Sequence, residues 1–271
     1  PASFQARGRA ARKAADRYGA PLQVLDPAEV EQFGEVLATG TPQQRRDVLG
    51  AMQLFGPTGA AAALRQLSRV APVAAGAGRL LSLPNGAPMA ATVLRGEDLL
   101  KAAPKTVPPE FEAEATRQTR AALRFLPELQ QTTPATGRAW MAGRLAETGR
   151  EYRASMADAA VNAVLGGRRG PDGVMRGGLG TRNGHPVLLP DGLSQDEFDD
   201  ALDRLSLAAT PKGKRPVWAS GEPVREDELR TAKPFALPNG RYALSPDETG
   251  DTLIRREDGS IFEIIVGRPQ R

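Results

Sequence analysis

Between Gly166 and Gly184 the chain places eight glycines and one proline. Glycine has the most conformational freedom to lose and proline withholds a backbone N–H, so such a run opposes the interiors of helices and strands alike. Upstream lie alanine- and arginine-rich segments with apolar residues at helical spacing; downstream, short strand-like runs are separated by Pro-Asn-Gly, Pro-Asp-Gly and Asp-Gly turns. The expectation is a mainly α protein, with an extended helical N-terminal part followed by a small α+β C-terminal part containing an antiparallel β-meander. Residues 1–20 read as a basic N-terminal arm, 21–165 as the helical domain, 166–184 as a glycine-rich linker and 185–271 as the small α+β domain. The linker is expected to let the two parts reorient and to be the first place a protease cuts.

Helix signals are strongest upstream. Asp26-Pro27 supplies an N-cap and a proline suited to the first turn ahead of Ala28–Ala38, and Gly40 supplies a stop. Thr41-Pro42 repeats the pattern before Val48, Leu49, Met52 and Phe55, and Thr58–Val70 gives a third helix. Residues 71–90 contain Pro72, Pro84 and Pro88 and read either as two short strands around Pro84-Asn85-Gly86 or as an ordered loop. Pro109–Leu126 follows a helical stripe that Pro127 ends. The longest expected helix runs from Thr136 to Leu165, roughly 45 Å at 1.5 Å per residue. Gly143 and Gly149 imply close packing or a bend within it, and Trp140 is expected to anchor it.

Beyond the glycines, Asn183-Gly184 turns the chain into a short strand at His185–Pro190. Ser194 and Glu197 have capping-box spacing, opening a helix whose buried side is Phe198, Leu202 and Leu205. Thr210–Arg215 is a polar loop and Arg225–Ala232 one more short helix. Arg241–Leu244, Thr252–Arg255 and Ser260–Val266 are the expected meander, with the Ser194 helix over its apolar face.

The 40% apolar fraction is rich in alanine and only 5% of residues are aromatic, so a thin core is expected. The absence of cysteine excludes disulfides, thiol nucleophiles and Cys-based metal sites. No apolar run approaches the roughly 20 residues that cross a bilayer, and no signal peptide is recognisable, so a soluble protein is expected. Pro1–Ala20 holds Arg7, Arg9, Arg12, Lys13 and Arg17 against Asp16, a surplus of four that accounts for the whole formal charge of +4. Such a cluster is either a polyanion-binding arm or a solvated, frayed terminus. These five residues, with Arg168 and Arg169, are the candidate nucleic-acid-binding residues; Arg176 and Arg182 could also reach phosphates.

Catalytic patterns are missing. His185 is the only histidine, flanked by Gly184 and Pro186 without a Gly-x-Ser-x-Gly elbow, and it reads as a turn histidine bonded to backbone. The glycine-rich stretch matches neither Gly-x-x-x-x-Gly-Lys-Ser/Thr nor Gly-x-Gly-x-x-Gly. Asp247, Glu248 and Asp251 lack calcium-loop spacing. Glu147, Glu151, Glu222 and Glu228 are carboxylates available for glycoside cleavage, but none lies in a Glu-Ser transglycosylase motif. No cofactor, metal or enzymatic activity is expected.

Two stretches carry a resemblance. Thr41-Pro-Gln-Gln-Arg-Arg-Asp-Val-Leu-Gly-Ala-Met52 and Gly240–Val266 are similar in style to bacteriophage internal virion, or ejection, proteins, over about a third of the chain. The resemblance implies a structural protein of the virion that forms a homo-oligomer and contacts other virion proteins or DNA. Outside a virion, a cytoplasmic location is expected. Two other readings stay open: a peptidoglycan-degrading hydrolase using carboxylates, and a bacterial helical adaptor with one protein partner.

Overall fold

A computed structural model describes residues 2–18, 21–207 and 214–267. They fall into two compact units: Pro1–Ala115 with Gln131–Val164, and Thr116–Gln130 with Leu165–Arg271. The protein is mainly α, with eleven α-helices among the described residues and small antiparallel sheets towards the C-terminal end. Among the described residues no helix is long and apolar enough to cross a membrane.

The first unit opens with α1 (Ala2–Tyr18), α2 (Pro27–Thr39) and α3 (Pro42–Gln53). Asp26 with Glu29, and Thr41 with Gln44, close reciprocal capping boxes, each followed by proline in the first turn. α4 (Gly56–Leu67), α5 (Pro72–Leu81) and α6 (Ala87–Ala102) follow. Residues 71–90 are therefore helical, neither strands nor loop. Pro72 and Pro88 sit in first turns, where their fixed φ suits a helix and a missing N–H costs nothing. Only 82–86 forms a turn, with Asn85 at φ +56°.

α7 (Glu110–Thr119) is shorter than expected, and Pro127 starts α8 (Pro127–Thr148) instead of ending its predecessor. The expected Thr136–Leu165 helix is likewise divided. Gly149 takes φ +63°, a left-handed helix stop, and a 3-10 turn at Ala154–Met156 leads into α9 (Ala157–Val164).

Leu37, Leu49, Met52, Leu67, Leu80 and Val93 form the apolar centre of this unit, with alanines filling between them and Trp140 packed against it. Small residues let the helices meet at backbone distance. A Cβ on Gly96 of α6 would collide with the carbonyl of Ala139 in α8, one on Gly143 with the carbonyl of Thr92, and one on Gly76 with the side chain of Thr136. The scarcity of large hydrophobes is thus offset by close approach of helix backbones.

In the second unit the glycine-rich stretch is a sheet. β1 (Arg168–Arg169), β2 (Met175–Arg182) and β3 (His185–Ser194) pair antiparallel in that order. The linker reading of 166–184 is corrected here: glycine supplies turns, a bulge and close contacts within strands. Asn183 (φ +51°) and Gly184 (φ +75°) form the two-residue β2–β3 turn. Gly177 and Gly178, both at positive φ, lie where the register shifts between Arg176 and Gly178. The Gln195 side chain binds the strand like a further rung, donating to the Thr181 carbonyl at 2.6 Å and accepting from its N–H at 2.9 Å.

The Ser194–Glu197 capping box opens α10 (Gln195–Asp203) as expected. β4 (Pro216–Val217) and α11 (Glu226–Thr231) precede a sheet of β5 (Lys233–Ala236), β6 (Tyr242–Ser245) and, after β7 (Arg255–Arg256), β8 (Glu263–Ile264). Its order is β5-β6-β8, while β7 pairs with β4. The middle strand of the expected meander therefore belongs to another sheet, though Ile254 donates to the Leu244 carbonyl of β6 at 2.9 Å and the Ser245 hydroxyl of β6 donates to the Thr252 carbonyl at 2.8 Å. Asp247 gathers the N–H groups of Thr249, Gly250 and Thr252, which turns the chain before that strand can extend. Phe198 of α10 packs edge-on against Tyr242 at 5.3 Å, but the capped helix lies chiefly against β2 and β3 and not, as expected, over this sheet. Most of the expected Thr210–Arg215 loop lies outside the described residues.

Candidate nucleic-acid interface

Five of the seven candidate cations lie on α1, whose described residues are helical and docked, correcting the loose-arm reading. Phe4, Gly8, Ala11 and Ala15 recur on its less exposed side. Phe4 meets the ring of Phe55 edge-on at 5.1 Å, and a Cβ on Gly8 would lie 2.9 Å from the Phe55 carbonyl oxygen. This tertiary support stabilises a charged helix that would be marginal alone.

Arg7 leaves the candidate set. Its guanidinium forks onto Glu29, with Nη1 2.6 Å from Oε1, pinning α1 to the start of α2. That hydrogen bond raises the Arg7 pKa and lowers that of Glu29. Arg9, Arg12 and Lys13 are exposed at positions i, i+3 and i+4, hence on one side, and none forms an ion pair among the described residues. Exposed Arg17 lies one turn further on, and Asp16 is the helix's single acid. Like charges at this spacing cost an isolated helix about 0.2–0.5 kcal/mol per pair, a repulsion a bound polyanion relieves.

The four arginines of the glycine-rich stretch separate by partner. Arg182 is committed: Nη1 donates to Asp199 at 3.2 Å, and Nη2 to Asp203 and to the Arg230 carbonyl. Burial opposes its charge, but these acids outweigh burial and raise its pKa. Arg176 forks onto Asp172 at 2.8 and 2.7 Å, and this bond lowers the Asp172 carboxyl. Arg169 is exposed and donates to the Gly173 carbonyl. Arg168 is half-buried, and its Nε and Nη2 have no hydrogen-bond partner.

Of the carboxylates named for hydrolysis, Glu147 and Glu228 are engaged structurally. Burial raises the Glu147 carboxyl, but hydrogen bonds from Thr92 and Arg144 and the charge of Arg95 outweigh it, giving a lowered pKa. A general acid needs the opposite shift. Glu228 caps α11 by accepting from the Arg225 N–H at 2.8 Å, and Glu222 and Glu151 are exposed. Asp247 is held by its loop, its pKa lowered chiefly by the Thr249 hydroxyl. Among the described residues no group of three or more His, Asp or Glu could hold a metal ion.

His185 is no turn residue. It begins β3, is 2% exposed, packs its ring at a tilt against Phe235 with centroids 4.5 Å apart, and leaves Nε2 without a hydrogen-bond partner. Burial, and secondarily Lys233, lower its pKa, while Glu248 opposes them.

Arg45 was hidden in a polar run. Only 1% exposed, it donates Nη1 to Asp98 at 2.7 Å and Nη2 to Glu97, joining α3 to α6, with Lys101 beside both acids. Burial raises the Glu97 pKa, and the Arg45 and Lys101 charges partly offset it. The available signal was spacing: Arg45 precedes Leu49 by four and Met52 by seven, on the apolar stripe of α3.

Comparison of the chain with protein-family models, curated proteins and solved structures found no match.

Proposed function

We propose that this chain is a structural protein of a phage particle, of the internal or ejection kind, which self-associates and contacts DNA through the exposed side of α1. The observation that carries this reading is the placement of Arg9, Arg12 and Lys13. They sit unpaired on a helix whose other side is fixed by Phe4 and Gly8, so the positive charge is held outward on a firm support. The resemblance of Thr41–Met52 and Gly240–Val266 to phage internal proteins supplies the setting.

Binding of labelled duplex DNA, followed by anisotropy across a salt series, tests the contact. Each phosphate contact contributes about 0.9 to the slope of log K against log salt, so R9Q/R12Q/K13Q should flatten the slope by up to about three units without changing the circular dichroism. An unchanged slope would remove DNA from the reading. Mass spectrometry of purified particles tests the setting separately, and absence of the chain from them would overturn it.

A further inference from the structure

We propose that Arg168 and Arg176 form a binding site for a phosphate group on one face of the β1-β2-β3 sheet, independent of α1. The antiparallel register sets Arg168 directly opposite Arg176, so the two side chains share a face at a spacing where like charges repel. Asp172 neutralises Arg176 by a two-pronged pair that leaves its Nε buried and unpartnered. Nothing equivalent serves Arg168, which makes no ion pair among the described residues and whose Nε and Nη2 are both buried without a partner. It is the one described arginine with two such nitrogens.

Arg168 thus has no acid of its own, and the pair holds three unsatisfied donors, which cost free energy until a partner accepts from them. Across the third strand, Arg176 is opposite Ser194, the N-cap of α10, whose first amides add positive potential to the same row. Asp172 is engaged by Arg176, and Glu197, which accepts from the Ser194 N–H, also acts on Arg176 through its charge. The Nε–Nη2 edge of a guanidinium matches two oxygens of one anion. A phosphate has a further oxygen for the Arg176 Nε, which a carboxylate lacks. Arg169 faces the other way along β1 and is not part of the site.

The test is a phosphate titration at constant ionic strength, read from the arginine Nε–H resonances of the ¹⁵N-labelled full chain. Saturable shifts are expected at Arg168 and Arg176. They should vanish in Arg168→Gln and persist in Arg169→Gln. In Arg168→Lys, which keeps the charge, binding should weaken about tenfold or more, the equivalent of one charge-assisted hydrogen bond. Repeating the titration with a short oligonucleotide in the R9Q/R12Q/K13Q background identifies the source: shifts with both ligands mean nucleic-acid phosphate, and shifts with inorganic phosphate alone mean a small phosphate compound. Shifts that never saturate, or that survive in Arg168→Gln, would overturn the site.

Discussion

In the first unit the telling glycines, Gly76, Gly96 and Gly143, lie inside helices and have ordinary backbone conformations; what matters is the Cβ they lack, because another helix occupies its place. In the second unit Gly177, Gly178 and Gly184 lie in a hairpin and take positive φ, so what matters is the conformation. One residue type answers two physical needs, close approach and left-handed backbone. A dense run of it is therefore no evidence of a flexible joint. The neighbours distinguish the cases: alanines and threonines at helical spacing around the first set, Asn183 and alternating strand residues around the second.

This contrast can be broken by substitution. Gly96→Ala should be the most damaging change, costing about 3 kcal/mol or more, because the added methyl meets the Ala139 backbone, which cannot rotate aside. Chemical denaturation would show it, and a loss below about 1 kcal/mol would mean that the helices can part. Arg45→Ala should cost about 3 kcal/mol, the lower part of the range for breaking a buried pair, since Asp98 is half exposed and only Glu97 is left shielded. Arg45→Met, which keeps the packing, should cost less in combination with Glu97→Gln.

In the second unit Gly177→Ala should cost about 1–2 kcal/mol, through the φ of +68° and a contact of 2.9 Å with the Gly166 carbonyl. A smaller effect follows from His185. Its folded pKa lies below the usual value near 6.5 because burial opposes the charged form, so its contribution is complete above pH 6.5 and falls away as pH drops from there towards the folded pKa. His185→Phe should flatten the stability profile in that window, leaving the steeper acid loss below about pH 4 to carboxylates such as Asp172 and Asp247. The smallest effect is expected at R9Q/R12Q/K13Q, within about 0.5 kcal/mol of the parent, because these side chains are exposed.

What could be read from the sequence was local. The pairs Asp26–Glu29, Thr41–Gln44 and Ser194–Glu197 lie three residues apart and carry their own geometry, so the helices they open start where expected. Pro72, Pro88 and Pro127 misled because proline both ends one helix and begins the next, and only the element packed alongside decides between them. The second strand of the meander failed because its partner β4 lies far away in sequence. At the candidate interface the basic cluster was legible, but neither the removal of Arg7 by Glu29 nor the isolation of Arg168 has a sequence signature. Both depend on which acids the fold brings near.

Native-state hydrogen exchange across residues 166–184 tests most directly whether the glycine-rich stretch is a folded sheet. The account expects the amides paired between β2 and β3 from Gly178 to Arg182 to be protected together with α10, and a protease to spare them. Exchange there at the rate of an unstructured peptide, with first cleavage between Gly166 and Gly184, would contradict it.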